Sequence, residues 1–218
     1  MLREKMVELK ETLISQANIV EKMIEKSMKC LISKDKEVLN EIMEVEENVV
    51  NTLENKIDQI CTNLIALYHP EAKDLRIIMM IAKMTSDLER MADCAVNIAE
   101  SVMYLMDKPL VKPYIDLPRM SDETIRMVKD SISSFINEEA NLAKSVCERD
   151  NIVDDLGDQI LRELITFMIS DPTTIERALH LLRISSNLEK IADSSTNISE
   201  ESIYVAKGKI IKHHKDSL

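Results

Sequence analysis

Apolar residues in the middle of the chain recur at alternating intervals of four and three residues over nine positions. They are Ile77, Ile81, Met84, Leu88, Met91, Ala95, Ile98, Val102 and Leu105. This heptad spacing places all nine on one side of an α-helix, where they can pack into a neighbouring helix. We therefore predict that the segment is a long core helix and that helix-on-helix packing organises the fold.

The rest of the sequence is also suited to helices. Two glycines, five prolines and 3% aromatic residues leave little material for turns or β-sheets, whereas 45% of the residues are apolar and 31% are charged. Apolar spacing and helix breakers divide the chain into six long helical segments, and the predicted class is all-α. The segments run from about Arg3 to Lys29, from a cap at Ser33 to Tyr68, from His69-Pro70 to Met106, from a cap at Ser121 to Glu148, from Asp150 to Ile169, and from Asp171-Pro172 to near Gly208.

The order of these segments repeats. Residues 107–120 contain three of the five prolines and separate two sets of three helices, in which helix-breaking residues occur at corresponding places. We predict two tandem antiparallel three-helix bundles related by internal duplication. The predicted units are a first repeat over residues 1–108, a Pro-rich linker over 109–120, a second repeat over 121–208 and a basic tail over 209–218. In the sixth helix Ser195 and Ser202 interrupt the apolar seam, which predicts looser packing or a more polar neighbour there.

One stretch of the third helix, SDLERMADCAVNIAE at residues 86–100, returns as SNLEKIADSSTNISE at residues 186–200. Its polar residues follow steps of four, four, three and four, on the side of the helix opposite the apolar seam. They are Glu89, Asp93, Asn97, Glu100 and Tyr104 in one copy, and Glu189, Asp193, Asn197, Glu200 and Tyr204 in the other. Several core positions differ between the copies while these polar positions are identical. The pattern favours a shared function over a merely solvated face and predicts two outward acidic faces.

Carboxylates four residues apart repel each other on an exposed helix unless a cation lies between them. Oxygen ligands without nearby Cys or His favour hard cations such as Mg²⁺, Mn²⁺ or oxidised iron. A second pair on a neighbouring helix is needed to hold such an ion firmly. The second and fifth helices supply candidates that align at an offset of 103 residues. These are Glu47 and Asn51, followed by Glu54 and Asp58, in the second helix, and Asp150 and Asp154 in the fifth.

The segments LERMADCAVNIAE and LEKIADSSTNISE resemble the two signature segments of the PhoU family, the phosphate transport system regulators. Members of that family are duplicated three-helix bundles with an E(D)xxxD motif in each half. The segments DNIVDDLGDQILRELITFMISDPTTI and NISEESIYVAKGKIIKHH also resemble the family's second repeat, so the likeness covers nearly the whole chain. It implies a cytoplasmic adaptor that represses the phosphate-starvation response, curbs phosphate uptake, and links the ATPase of a phosphate ABC transporter to a sensor histidine kinase.

The resemblance also implies metal sites and a homodimer, because some family members carry iron clusters and others zinc or magnesium on these acidic surfaces. The ligands implied by position are Glu89, Asp93, Glu189, Asp193, Asp150, Asp154, Glu47 and Asn51. Asn51 departs from the acidic pattern, so the first-repeat site is expected to bind more weakly or to be completed by Glu54 or water. Four further signature residues are expected to support the ligands or to contact a partner: Asn97, Glu100, Asn197 and Glu200.

Several other classes of protein are disfavoured. A net charge of −11 argues against a nucleic-acid binder, which needs clustered Lys and Arg. No segment approaches the ~18 uncharged apolar residues of a membrane span. There is neither a glycine-rich phosphate loop nor a nucleophile with an identifiable base, so no catalysis is expected. We expect a soluble cytoplasmic regulator.

Two alternatives stay open. A helical protein that binds an iron cluster through carboxylates is one, although the Glu-x-x-His pairs of a di-iron bundle core are missing from the sequence. The other is an accessory regulator of a different phosphate or cation transporter, because the same fold accompanies such transporters as well.

Overall fold

The computed structural model describes residues 2–207, and every regular element in that range is a helix. The elements are α1 (Leu2–Ser33), α2 (Lys36–Glu41), a π-helical turn (Ile42–Glu46), α3 (Glu47–Tyr68), α4 (Ala72–Leu105), α5 (Asp116–Asn137), α6 (Ala140–Ser170), a 3₁₀ turn (Pro172–Thr174) and α7 (Ile175–Lys207). The predicted all-α class is confirmed. Gly208, predicted to end the last helix, and the basic tail at residues 209–218 lie outside the described residues.

Two three-helix bundles lie side by side. α2, the π turn and α3 form one long helix that packs with α1 and α4, while α5, α6 and α7 form the second bundle. α4 also packs along α7, and α1 contacts α5. The predicted pair of tandem bundles is confirmed; the exact limits of the two repeats stay a prediction.

α4 and α7 run antiparallel to each other. Arg183, near the start of α7, reaches Glu100, near the end of α4. Lys83, near the start of α4, reaches Glu201, near the end of α7. An approximate two-fold relation therefore exchanges residue n of α4 with residue n + 100 of α7.

The apolar seam of α4 is core, as predicted, and all nine of its residues are buried. α4 also buries residues outside the seam because helices cover it on three sides; among these are Ile78, Ala92 and Ala99. In α7, Ser195 and Ser202 continue the buried seam. Each donates its hydroxyl to the carbonyl four residues earlier, at 2.9 and 2.8 Å. The hydroxyls are thereby satisfied inside the helix, so they do not require a polar neighbour.

One polar pair lies at the centre of the first bundle. Thr85 Oγ1 donates to Gln16 Oε1 at 2.8 Å, and Gln16 Nε2 donates to the Thr85 carbonyl at 3.3 Å. Both side chains are fully buried, and leaving one of these groups unpaired would cost about 1–3 kcal/mol. In the second bundle Ser185 donates to Met120 Sδ at 3.4 Å at the matching place. The same packing position therefore holds an amide–hydroxyl pair in the first repeat and a hydroxyl–thioether pair in the second.

Several predicted helix limits are wrong. α2 is capped by Asp35, whose carboxylate accepts from the backbone N–H groups of Glu37 and Val38, and Ser33 is still part of α1. α5 begins at Asp116 and contains Ser121 in its interior, because a proline at position 118 is tolerated in a first helical turn. α4 begins at Ala72, after the His69-Pro70 pair that was predicted to open it.

The turn between the fourth and fifth helices lies far from its predicted place at residues 148–150. α5 ends at Asn137, Glu138 adopts a left-handed conformation with φ of 57°, and α6 starts at Ala140. Such a backbone conformation usually calls for Gly or Asn. Position 138 is a glutamate, so nothing in the sequence indicated a turn there.

The Pro-rich segment is fixed to the second bundle. Lys112 is buried and pairs with Glu163 of α6, and its Nζ lies 3.4 Å from Asp116 Oδ2. Arg177 of α7 donates to the carbonyl of Pro109 at 2.7 Å. The described helices include none that is long and apolar enough to cross a membrane.

Candidate functional site

The two acidic motifs lie on α4 and α7, each facing a neighbouring helix of its own bundle. In the first repeat Glu89 of α4 is half-buried beside α3. Burial raises the pKa of the Glu89 carboxyl, and the negative charges of Asp93, Glu54 and Glu47 raise it further. We call Glu47, Asn51, Glu54, Glu89 and Asp93 the first acidic site.

The second repeat has the same arrangement between α6 and α7. Glu189 is half-buried, and burial is the largest cause that raises the pKa of its carboxyl. The charges of Asp154, Asp193 and Asp158 add to the effect. We call Asp150, Asp154, Asp158, Glu189 and Asp193 the second acidic site. Each site therefore gathers carboxylates from two helices around one half-buried glutamate.

The π-helical turn sets the register of the first acidic site. Lys34 and Glu138 are equivalent turn residues, each with φ of 57°. Glu47 follows Lys34 by 13 residues, whereas Asp150 follows Glu138 by 12. The first repeat thus has one additional residue before its site. The π turn at residues 42–46 accommodates that residue within the helix, so that Glu47 reaches the position that Asp150 holds in the second repeat.

Gly157 shapes the second acidic site. A Cβ placed on this glycine would overlap Glu189 Oε1 and lie 3.0 Å from Glu189 Cδ. The Glu189 carboxylate therefore rests directly on the backbone of α6, where only glycine leaves room for it. At the offset of 103 residues the first repeat has Glu54 at this position.

Glu54 supplies an acidic group where the aligned pattern has lost one. Asn51 occupies the position of Asp154, so the first site has an amide in place of a carboxylate. Asn51 Oδ1 is buried and has no hydrogen-bond partner among residues 2–207. Glu54 Oε1 accepts a hydrogen bond from Ser86 Oγ at 3.0 Å, which holds its carboxylate beside α4. Asp58 is exposed, and its charge acts on Cys61.

The prediction that the whole stripe of α4 faces outward is wrong. Asn97 and Glu100 face α7, where Arg183 Nη2 donates to Asn97 Oδ1 and, at 2.8 Å, to Glu100 Oε2. Tyr104 stacks on His180 of α7 with ring centroids 3.9 Å apart. The stripe therefore serves two neighbours, because its first part lies against α3 and its second part against α7.

The donor set of both sites consists of carboxylate and amide oxygens, which suits a hard cation. Mutual repulsion within each set is relieved when a cation binds, and the buried Asn51 oxygen adds an acceptor without a donor. In the described part of the chain, no three Asp, Glu, His or Cys side chains are already arranged to hold a metal ion. The residues fit such an ion in type and in placement on facing helices. Holding it requires rotation of flexible Glu and Asp side chains.

Three residues of this region were not predicted from the sequence. Asp158 is one turn beyond Asp154 and resembles an ordinary surface acid. Arg183 lies outside the repeated motif. Gly157 offered a signal, since it is one of only two glycines and stands inside a helix, where glycine costs about 1 kcal/mol relative to alanine.

The comparison with known proteins agrees with both the repeat and the motifs. The family described as "PhoU domain" matches residues 13–102 and again residues 117–202. An Aquifex aeolicus protein named "Phosphate-specific transport system accessory protein PhoU homolog" is 42% identical over 212 residues, covering 97% of this chain and 96% of that protein. The accessory protein PhoU of Escherichia coli is 28% identical over 205 residues, covering 94% of this chain and 85% of its own length.

Solved structures show the same fold. The crystal structure of PhoU from Pseudomonas aeruginosa superposes with a TM-score of 0.92 at 30% identity and covers 96% of this chain and 100% of that chain. The phosphate transport system regulatory protein PhoU from Streptococcus pneumoniae gives a TM-score of 0.89 at 28% identity, with 96% and 99% covered.

The raised pKa of Glu189 predicts how the metal-free protein responds to pH. A carboxyl whose pKa is raised by folding stabilises the fold fully below its unfolded pKa, and this contribution is lost as pH rises through the folded pKa. Glu189→Gln should therefore increase the free energy of unfolding of metal-free protein at pH 7 by about 0.5 kcal/mol, and the gain should vanish towards pH 4. Urea unfolding at both pH values measures the change in the free energy of unfolding. Asp155→Asn, an exposed acid on α6, is the control and should change neither value; a less stable Glu189→Gln protein at pH 7 would contradict the interpretation.

Proposed function

Because this chain belongs to the PhoU family, we propose that it is a regulatory accessory protein of phosphate transport. In this proposal it represses the phosphate-starvation response and limits phosphate uptake by coupling the ATPase of a phosphate ABC transporter to a sensor histidine kinase. The observation that carries the proposal is the likeness along both repeats to proteins named as accessory to the phosphate-specific transport system.

The proposed setting is the cytoplasm, where the protein acts through contacts with other proteins and without catalysis. In this proposal it meets the membrane only through its partners. The net charge of −11 suits basic protein surfaces as partners and disfavours nucleic acid.

We also propose that the two acidic sites bind metal ions. Glu189 and Asp193 would act with Asp150 and Asp154 in the second repeat. Glu89, Asp93, Glu47 and Asn51 would act in the first, with Glu54 replacing the missing carboxylate. Iron, manganese, magnesium and zinc are the candidate ions, and the all-oxygen donor set favours the harder ones. Burial is the largest cause of the raised pKa values of Glu89 and Glu189, and a bound cation would remove the repulsion that adds to it.

A homodimer through the second repeat is the third proposal. Leu161, Ile165 and Ile169 of α6 are exposed and spaced by four residues, so they form an apolar stripe. The corresponding residues of α3 are Asp58, Thr62 and Ala66, which form no such stripe. The stripe lies on the same side of α6 as Asp154 and Asp158. A dimer formed there would place the second acidic site at the edge of the interface.

The metal proposal predicts a specific effect of Gly157→Ala. The added methyl group takes the place of Glu189 Oε1 and forces the carboxylate away, while alanine favours the helix itself by about 1 kcal/mol. The variant should fold, yet bind Mn²⁺ or Fe³⁺ at the second site at least about tenfold more weakly, as should Glu189→Gln. Equilibrium dialysis with elemental analysis of metal-stripped protein measures this. Asp155→Asn is the matched control. Glu189→Gln protein that binds as tightly as wild type would exclude Glu189 as a ligand.

The regulatory proposal predicts the effect of deleting the gene in the native host. Phosphate-starvation genes should then stay on in high phosphate, because the repressing adaptor is lost. Transcript measurement checks this, and a plasmid copy of wild type or of Asp155→Asn should restore repression. Unchanged expression in the deletion strain would count against the adaptor role and leave regulation of another transporter as the alternative.

The dimer proposal predicts that Ile165→Glu produces a monomer, because a charge would be buried in the apolar stripe. Sedimentation equilibrium measures the mass in solution. Thr62 is exposed at the matching position of α3, so Thr62→Glu introduces the same charge there and should leave the dimer intact. If the wild type sediments as a monomer, or if both variants dissociate it equally, the stripe is not the interface.

A further inference from the structure

The antiparallel pair of α4 and α7 has two ends with nearly the same residues. At one end Asn97 and Glu100 of α4 face Arg183 of α7. At the other end the two-fold relation brings Asn197 and Glu200 of α7 opposite Lys83 of α4. A guanidinium at one end is thus replaced by an amine at the other.

The first end is filled from within the chain. Arg183 Nη2 donates to Asn97 Oδ1 and lies 2.8 Å from Glu100 Oε2, so one guanidinium joins the amide and the carboxylate. Ser101, one residue further along α4, donates its hydroxyl to the carbonyl of Asn97 at 3.0 Å and carries no charge. Nothing at position 101 competes with Asn97 and Glu100 for the guanidinium.

The second end is an open cleft. Glu201 takes the position of Ser101, and Lys83 Nζ lies 3.7 Å from Glu201 Oε1. The Glu201 side chain is almost entirely buried, whereas that of Lys83 is half exposed. Lys83 is drawn to Glu201 and leaves the space beside Asn197 and Glu200. A cleft of about 370 Å³ remains, which we call the α4–α7 cleft; it is lined by Ala82, Lys83, Ser86, Asp87, Asn197, Glu200 and Glu201.

The charge of the cleft favours a cation. Three carboxylates line it, those of Asp87, Glu200 and Glu201, against the ammonium of Lys83 and the guanidinium of Arg90 at its edge, which gives a net charge of −1. Arg90 lies at the edge, 4.0 Å from Asp87 Oδ1, and its side chain is largely exposed. The filled end has one carboxylate and one guanidinium, and it is neutral. The cleft is therefore short of positive charge by comparison with its own counterpart.

We propose that the α4–α7 cleft binds a guanidinium group, supplied by an arginine side chain of a partner protein. The same amide and carboxylate pair already holds a guanidinium at the filled end, through the planar fork of donors that an ammonium lacks. The cleft opens at the surface between two helices, and its volume admits a side chain together with part of its backbone. Glu200 and Asn197 accept from the guanidinium, while Glu201 keeps Lys83 out of the way.

The test uses blocked arginine, acetyl-arginine amide, as the probe, with purified full-length protein and amide chemical shifts as the readout. Blocked arginine should shift the signals of Ala82 and of the Asn197 side chain. Blocked citrulline has the same shape without the charge and should shift neither. Blocked lysine should bind more weakly because it lacks the fork. Equal binding of citrulline or lysine would overturn the proposal.

Variants decide where the probe binds. Lys83→Arg should place a guanidinium on Asn197 and Glu200 as Arg183 does on Asn97 and Glu100, and it should abolish binding of the probe. Glu200→Gln should weaken binding about tenfold, through loss of a charge-assisted hydrogen bond. Glu100→Gln is the matched control at the filled end and should leave binding unchanged. If Lys83→Arg protein binds the probe like wild type, or if the two Glu→Gln variants behave alike, the cleft is not the site.

Arginine binding in the α4–α7 cleft is independent of metal binding at the second acidic site. Glu189→Gln, which should weaken metal binding at the second acidic site, should bind blocked arginine like wild type. The two measurements are made on the same variant, so failure of one is visible separately from failure of the other.

Discussion

The packing of α4 against α7 is the contact on which the rest of the structure depends. Each of these helices completes its own three-helix bundle and also joins the two bundles, so each must bury side chains in three directions. Small residues such as Ala92, Ala99 and Ser199 let the neighbouring helices approach closely. Only the narrow strips between the three contacts are left for polar groups. The acidic motifs occupy those strips, which is why the carboxylates of Glu89 and Glu189 are half-buried and close to other helices.

The heptad spacing of α4 was enough to predict a core helix, and the repeated order of helices and helix-breaking residues was enough to predict two bundles. Periodicity reports one preferred contact direction, however, and α4 has three. The prediction of a single outward stripe failed for that reason: Asn97 and Glu100 lie against α7, at a residue more than 80 positions away in sequence. The turn at Glu138 was missed for a local reason, because a left-handed residue without Gly or Asn leaves no signal in composition.

For the acidic sites as well, the internal repeat identified the candidate residues, whereas helix packing determines how they are arranged. Aligning the repeats was enough to nominate Glu47, Asn51, Asp150 and Asp154 beside the signature acids. It could not show that a π turn compensates for one additional residue, or that Glu189 rests on the backbone at Gly157. The first depends on the geometry of one helix, and the second on the distance between α6 and α7, which no single segment encodes. The exchange of Gly157 for Glu54 also makes the sites unequal: one has room for its glutamate to lie against the neighbouring helix, and the other gains a carboxylate there.

Duplication gave the protein two copies of each feature, and the two ends of the α4–α7 pair differ as the two acidic sites do. At the filled end of the α4–α7 pair, Arg183 bridges the two bundles through Asn97 and Glu100, so this end is occupied from within the chain. At the other end Glu201 diverts Lys83 and the matching groups are left to a ligand. Ser86 lines that cleft and also donates to Glu54 of the first acidic site. A guanidinium in the cleft and a cation at the first site would thus act on the two sides of one hydrogen bond. Through this hydrogen bond, each ligand would change the affinity of the protein for the other.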